Sequence, residues 1–363
     1  MIRLADHAKV RMTDERLAET LRDRLPRLHA AGIDPNDVEA ALSRIRRLRD
    51  WPHVWAQLAR EHEALGDDAR AAGNMVSAGT ALRRAALYFH VAQFVHFERP
   101  LLKCRLQERQ DATYRRAAPH LQPPAARLEI PFEGTYLPGN LRIPDRPRPA
   151  PCVVLTAGAD STKEEFGTLE DMFLDRGLAT FSYDGPGQGG TRRRLTLRPD
   201  FEVPIGALLD ALGAQPELDP ARIGLWGRSF GAHAALRGAT DPRVRACVAI
   251  GGFAQMGTIW SRMPPGTTES LAYAFGATDS EDAARHAQHY SLDDVAGSIQ
   301  CPVLVVHSGR DNVCPLEQSE RITALVGARA ELVVFEQGNH VCDNIPYRVR
   351  PLMADWLAAR LAG

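Results

Sequence analysis

The sequence predicts an α/β protein: a doubly wound, mostly parallel sheet, with an N-terminal helical domain over 1–122 and a small cap-like insertion over 251–300 of a 123–363 core. Three observations predict it. From Cys152 onward, short apolar runs alternate with helical patterns, which calls for parallel pairing. One such run, Ile223-Gly224-Leu225-Trp226, enters the turn Gly227-Arg228-Ser229-Phe230-Gly231 and leaves as the Ala-rich stretch 232–235. That G-x-S-x-G turn between strand and helix lifts a serine hydroxyl above a sheet. The first 120 residues, by contrast, read as helical throughout.

Taken in order, Leu17, Leu21, Leu25 and Leu28 recur at helical spacing, as do Val38, Ala41, Leu42, Ile45 and Leu48. Asp34 is a cap and Pro35 a first-turn residue for the second of these helices. Trp51-Pro52-His53 marks a break, and 71–97, mixing alanines with Tyr88, Phe89, Phe94 and Phe97, reads as one long helix. The prolines of 119–124 mark the domain boundary. Residues 127–131 and 136–143 then form an antiparallel pair, with Pro138-Gly139-Asn140 as turn chemistry. Strands follow at 152–156, 178–183, 245–250, 302–307 and 332–335, with helices at 165–176, 203–212, 317–325 and 347–361. Residues 251–300 break this rhythm with Phe253, Met256, Ile259, Trp260, Met263, Tyr273 and Phe275. The plain reading is a longer core helix; the functional one is a cap over the site.

Composition narrows the function. With 44% hydrophobic and 25% charged residues and a net charge of −1, this is a globular composition without an electrostatic case for nucleic acid or anionic membrane. Residues 1–120 are +5 and the remainder −6; Arg44, Arg46, Arg47 and Arg49 read as a solvated face. No apolar run reaches a membrane span and the start lacks a signal peptide's apolar region, so a cytoplasmic location is expected. The six cysteines are dispersed without C-x-x-C, which supports neither disulfides nor a metal centre. Cys152, Cys247 and Cys301 read as buried small hydrophobes, while Cys314 and Cys342 flank candidate site loops and could line a pocket.

The site is read from strand ends, where open α/β sheets place their chemistry. A serine needs a hydrogen-bonded base to act as nucleophile. After Ser229 the chain supplies Asp311, in the loop following strand 302–307, and then His340, in the loop following strand 332–335. Serine, acid, histidine is the order that this strand-turn-helix serine requires. Ser229 is therefore the nucleophile, His340 the base and then the acid, and Asp311 the group that orients the imidazole. His233, one helical turn beyond the serine, and His307, on its strand, are the rival histidines; Asp184 is the rival acid. The amide of Phe230 and one from the loop 157–162 would form the oxyanion hole, with Ala159 the candidate and Asp160 the fallback. Each such donor is worth about 3 kcal/mol of barrier. The aromatic helix near 88–97 and the apolar stretch 253–275 suggest a cleft between helical segment and core, with Asp160, Trp260, Met263 and Phe89 as pocket residues.

Gly158-Ala159-Asp160-Ser161-Thr162-Lys163-Glu164-Glu165, Asp184-Gly185-Pro186-Gly187-Gln188-Gly189, the Ser229 turn and the Asp311 and His340 loops together resemble one group of α/β-hydrolases. The group contains the fermentation-respiration switch protein-like esterases and 2,6-dihydroxypseudooxynicotine hydrolase. Its members are similar in placing a helical segment before the hydrolase core, so the resemblance covers nearly the whole chain. It implies hydrolysis of an ester, or of a C–C bond beside a carbonyl, without metal or organic cofactor, and a dimer is common there. C–C-cleaving members can use an extra carboxylate after the fifth strand. Here 251–268 contains no Asp or Glu, and Glu269 is the first.

Three functions compete. The first is a serine hydrolase acting on a small-molecule ester, thioester or related carbonyl compound. The second keeps the site but passes the acyl group to an alcohol or carbon nucleophile, as an acyltransferase or cyclase. The third is a ligand-binding relic of the fold, against which a complete triad argues.

Overall fold

The computed structural model describes residues 15–95, 97, 99–146 and 148–362. The chain divides between Gln122 and Pro123 into two compact units.

The first unit is helical: α1 (Glu15–Ala30), α2 (Pro35–Arg44), α3 (Trp51–Ala71), α4 (Met75–Ala92) and α5 (Pro100–Ala117). Asp34 caps α2, its side chain accepting from the Asn36 amide at 2.9 Å, and Pro35 sits in the first turn. Trp51 and Pro52 begin α3, where a proline costs nothing because the first-turn N–H has no helical partner. The expected single helix over 71–97 is corrected. It is broken at Ala72–Asn74, where Gly73 has φ +80°, and α4 ends at Ala92. The aromatic face of α4 is covered within this unit: Tyr88 lies edge-on to Trp55 at 5.5 Å, and Trp55 is 5.8 Å from Trp51. These side chains share one core with Leu17, Leu28, Val38 and Leu106.

The second unit holds an eight-stranded sheet. In chain order its elements are β1 (Ala125–Phe132), β2 (Thr135–Arg142), β3 (Ala150–Thr156), α6 (Gly167–Leu174), β4 (Ala179–Tyr183), α7 (Glu202–Gly213), β5 (Leu218–Arg228), α8 (Phe230–Gly238), β6 (Val244–Ile250), α9 (Met256–Ile259), α10 (Pro265–Phe275), α11 (Ser280–Ala287), β7 (Val303–Ser308), α12 (Leu316–Val326), β8 (Ala330–Phe335) and α13 (Pro346–Leu361). The strand order is β1-β2-β4-β3-β5-β6-β7-β8, antiparallel at β1-β2-β4 and parallel from β4 to β8. Because strand side chains alternate, each central strand feeds two cores. Cys152 and Val154 of β3 join the core that includes α7, α8 and the 251–300 segment, while Val153 and Leu155 join the core that includes α6 and α13. Both faces of the sheet are covered, as a parallel sheet requires.

The hairpin turn differs from expectation. β1 and β2 are joined by Glu133-Gly134, with φ of +44° and +75°, and Pro138-Gly139-Asn140 lies inside β2. Positive φ at both central residues is the two-residue hairpin geometry whose twist suits the flanking strands. Gly139 has a packing reason, since a β-carbon there would lie 2.1 Å from Cζ of Phe181 on β4. Residues 251–300 carry α9, α10 and α11 on the core that also holds Phe253, Met256 and Ile259. Among the described residues, no helix is long and apolar enough to cross a membrane.

Candidate active site

Ser229 stands between the end of β5 and the first residue of α8 with φ +55° and ψ −124°, a strained conformation for a residue with a β-carbon. Its amide donates to Ile250 O at 2.9 Å and its carbonyl accepts from the Ala232 amide at 2.9 Å, which hold the turn. The flanking glycines are steric necessities. A β-carbon on Gly227 would lie 2.0 Å from Gly231 O, and one on Gly231 would lie 2.1 Å from Thr156 O.

The loops after β7 and β8 bring Asp311 and His340 to this serine. His340 Nε2 is 2.9 Å from Ser229 Oγ, and His340 Nδ1 is 2.9 and 2.8 Å from the two oxygens of Asp311. Asp311 also accepts the Val313 and Cys314 amides, each at 2.8 Å, and its side chain is wholly buried. Burial pushes its pKa upward, but the charge and hydrogen bond of His340 and the two amides outweigh that and hold it below the ordinary carboxylate value. An ionised carboxylate thus faces Nδ1, which leaves Nε2 free to take a proton from the serine. Beyond His340 the backbone is strained: Val341 and Cys342 have φ of +54° and +57°. Cys342 Sγ lies 3.1 Å from Ser308 Oγ, and burial pushes its thiol up to about 11. Cys314 serves Asp311 through its backbone, with its buried thiol raised well above the ordinary value. Neither thiol is a nucleophile near neutral pH.

The rival residues have other partners. His233 is fully buried and stacked on Phe253 at 4.5 Å, with Nδ1 3.2 Å from Phe253 O. His307 pairs through Nδ1 with Ser319 Oγ of α12 at 2.9 Å. Asp184 is occupied by Lys163, accepting its amide at 2.9 Å and its ammonium at 2.9 Å, and by the Gly190 amide at 2.9 Å.

The loop after β3 runs beside the serine, since a β-carbon on Gly158 would be 3.7 Å from Ser229 Cβ. Gln188, fully buried, donates its side-chain amide to Ala157 O at 2.7 Å and Gly158 O at 3.0 Å, and accepts the Gly185 amide at 3.0 Å. A trans peptide plane sets N–H opposite C=O. With Gly158 O held toward Gln188, the Ala159 N–H is turned away from it. Of the pocket candidates, Asp160 is half-buried and Trp260 is half-buried against the Phe275 ring at 6.1 Å. Met263 is buried in the core of the second unit. Phe89 is buried in the core of the helical unit, with the Arg109 guanidinium 5.5 Å from its ring centre.

Sequence reasoning gave no role to Gln188, Lys163 or the pair formed by Arg228 Nη2 and Asp343 Oδ2 at 2.8 Å. The signal available for Lys163 was a lysine followed by two acids in a loop that the fold buries; for Gln188, a lone amide among four glycines.

The family model described as "Esterase FrsA-like" matches residues 24–362. The chain is 37% identical to 2,6-dihydropseudooxynicotine hydrolase of Paenarthrobacter nicotinovorans, over 91% of this chain and 90% of that protein. It is 32% identical to hydrolyase poxO of Penicillium oxalicum, over 78% of this chain and 79% of that protein. Among solved structures, that of 2,6-dihydroxy-pseudo-oxynicotine hydrolase superposes with a TM-score of 0.87 at 36% identity, covering 93% of this chain and 95% of that one. The chain is an α/β-hydrolase and belongs to the FrsA-like esterase family.

Proposed function

We propose that this α/β-hydrolase cleaves an ester, thioester or related carbonyl bond of a small molecule through an acyl-enzyme on Ser229. The observation that carries this reading is the unbroken hydrogen-bond chain from Ser229 Oγ through His340 to Asp311. His340 Nε2 takes the hydroxyl proton as Oγ attacks the carbonyl carbon, and later gives it to the leaving group. Asp311 fixes the imidazole with Nδ1–H toward itself and stabilises the imidazolium while it exists. The tetrahedral oxyanion is received by the Phe230 amide at the start of α8 and by the Ala159 amide. The first is aided by the positive end of the helix, and the second is supported by the hold of Gln188 on Gly158 O. Water activated by His340 then resolves the acyl-enzyme. No step calls for a metal or organic cofactor. Asp160 and Trp260, both half-buried in the second unit, stay as pocket residues, whereas Met263 and Phe89 each lie in a hydrophobic core; a cytoplasmic homodimer belongs to the same reading.

Fluorophosphonate labelling tests it: wild type should be labelled stoichiometrically, and Ser229→Ala not at all. Labelling that survives Ser229→Ala would overturn the nucleophile. A second reading, cleavage of a C–C bond beside a carbonyl, is favoured by the 37% identity to 2,6-dihydropseudooxynicotine hydrolase. The stretch 251–268, which has no carboxylate, weighs against it. Profiling acyl esters and β-dicarbonyl compounds with product analysis separates the two; an added alcohol acceptor in the same assay reports any acyl transfer.

A further inference from the structure

Arg228 and Asp343 form a buried ion pair that none of the catalytic steps above uses, yet their places in the chain are telling. Arg228 immediately precedes Ser229, and Asp343 follows His340 by three residues. Arg228 Nη2 donates to Asp343 Oδ2 at 2.8 Å, and Nη1 lies 3.7 Å from Glu165 Oε1. Glu165 in turn accepts a short hydrogen bond from Ser161 Oγ, in the loop that begins with Gly158 and Ala159. One guanidinium therefore touches a carboxylate from the His340 loop and a carboxylate tied to the loop after β3, while being covalently joined to the nucleophile. All three side chains are nearly closed to water, at 10%, 8% and 1% exposure.

We propose that Arg228 is a positioning residue. It fixes the histidine loop and the loop carrying the Ala159 amide against the Ser229 turn, through Asp343 and Glu165. The inference rests on the triad reading above. Backbone strain gives it its reason. Val341 and Cys342, both with β-carbons, sit at φ +54° and +57° between His340 and Asp343. Such a segment persists only where its flanks over-determine it. On one side His340 is held by Asp311 and Ser229; on the other, Asp343 is held by Arg228. Release of Asp343 lets the strained pair relax, and the imidazole moves with it. Arg350 completes the cluster, with Nη2 4.0 Å from Asp343 Oδ1 and Nη1 donating to Thr168 Oγ1 at 2.8 Å. Among the described residues, Arg228 and Arg350 thus lie with Asp343 and Glu165, so charges of opposite sign are buried together. A buried pair of this kind is poor at adding stability and better suited to enforcing one arrangement.

The test compares Arg228→Met, Arg228→Lys and Asp343→Asn with wild type. It reads the rate of fluorophosphonate labelling, kcat and KM on an active acyl ester, and Tm. Labelling reports the Ser229–His340 pairing without needing the substrate pocket. We expect Arg228→Met to lower labelling and kcat together by about a hundredfold, the cost of a misplacement near 1 Å, with KM changed less than about threefold. Arg228→Lys, which can reach only one of the two acids, should recover part of that loss. The Arg228→Met/Asp343→Asn double variant should be no slower than the worse single one, because both break the same link. Wild-type labelling in folded Arg228→Met, whatever its Tm, would make the pair merely structural and overturn the inference. If Arg228→Met does not fold, Asp343→Asn decides, since it keeps volume and hydrogen-bonding capacity; unchanged labelling there overturns it as well. Ser229→Ala is the control: silence there with normal labelling in the other variants sinks this inference alone, whereas labelling there sinks the triad and this inference with it.

Discussion

Asp311 and Asp184 are both aspartates at strand ends, and the sequence alone left them as rivals; their partners separate them. Asp311 faces His340 and two amides, while Asp184 faces the Lys163 ammonium and amide. Asp311→Asn should therefore lower kcat by about 10⁴, through loss of the correct tautomer. Asp184→Asn should act on Tm far more than on kcat. The reverse result, an active Asp311→Asn and a dead Asp184→Asn, would show the acid to be misassigned. His233 makes a separate pH prediction. Burial, the largest effect, pushes its pKa down to about 3, and its Nε2 has no hydrogen-bond partner. In the unfolded chain the value is about 6.5. Between those limits the unfolded state binds a proton that the native state does not. This contribution to stability is therefore fully present above pH 6.5 and is lost as pH falls toward 3, at about 1.4 kcal/mol per pH unit. His307, also lowered mainly by burial, adds to the slope with the same sign. His233→Phe, which keeps the stack on Phe253, should flatten the fall in Tm between pH 6.5 and 5, above the range where carboxylates titrate. An unchanged slope in that variant would sink the assignment. At this scale the meeting of Ser229, Asp311 and His340 was legible because each lies in a local pattern of strand, turn and small residues. Gln188 and the Arg228–Asp343 pair were not, because their meaning lies in contacts spanning 30 and 115 residues of chain.

Helix and strand periodicity placed the elements of the sheet, and it failed where a glycine or proline had a reason other than turning the chain. Gly139 was read as a turn residue, but it is a strand residue whose missing side chain makes room for the Phe181 ring. Glu133 takes the left-handed turn position instead, which local propensity does not suggest for a glutamate. The opposite error occurred at Gly73, whose φ of +80° ends a helix inside what reads as one continuous Ala-rich pattern. The alanines on either side suit helix equally well, so composition cannot mark the break. A test belongs to β2. Gly139→Val brings a β-carbon to within 2.1 Å of Phe181 Cζ in a strand paired on both sides. Overpacking of this kind costs about 1–3 kcal/mol or more, so Tm should fall by several degrees or the protein should fail to accumulate. Gly134→Ala, at the hairpin turn with nothing within 4 Å of its added carbon, should cost only the strain of its φ of +75°. Equal Tm losses in the two variants would mean that packing against Phe181 is not what fixes Gly139.

Across the whole molecule, the match to the FrsA-like family runs through both units, from residue 24 to 362, so the helical unit is a shared part of this enzyme class. An Ala- and aromatic-rich helix must bury its apolar face, and α4 does so within the helical unit, where Tyr88 and Phe89 pack with Trp51 and Trp55 of α3. Independently, among the described residues every hydrogen bond that holds Ser229, His340 and Asp311 comes from residues beyond Pro123. A cut between the two units therefore tests whether substrate choice needs the helical unit. A protease site inserted between Gln122 and Pro123 would allow the folded protein to be cleaved and the 123–363 fragment to be isolated without refolding. Fluorophosphonate labelling of Ser229 in that fragment should stay within about threefold of wild type, since nothing that sets the nucleophile has been removed. The value of kcat/KM on the best substrate from the acyl-ester profile then reads the helical unit's part in substrate choice, and a fall of at least about tenfold would establish one. Loss of labelling on cleavage would show that the helical unit supports the triad itself. Unchanged kcat/KM would make it an independent binding or regulatory domain, and substrate selection would then rest with residues 251–300.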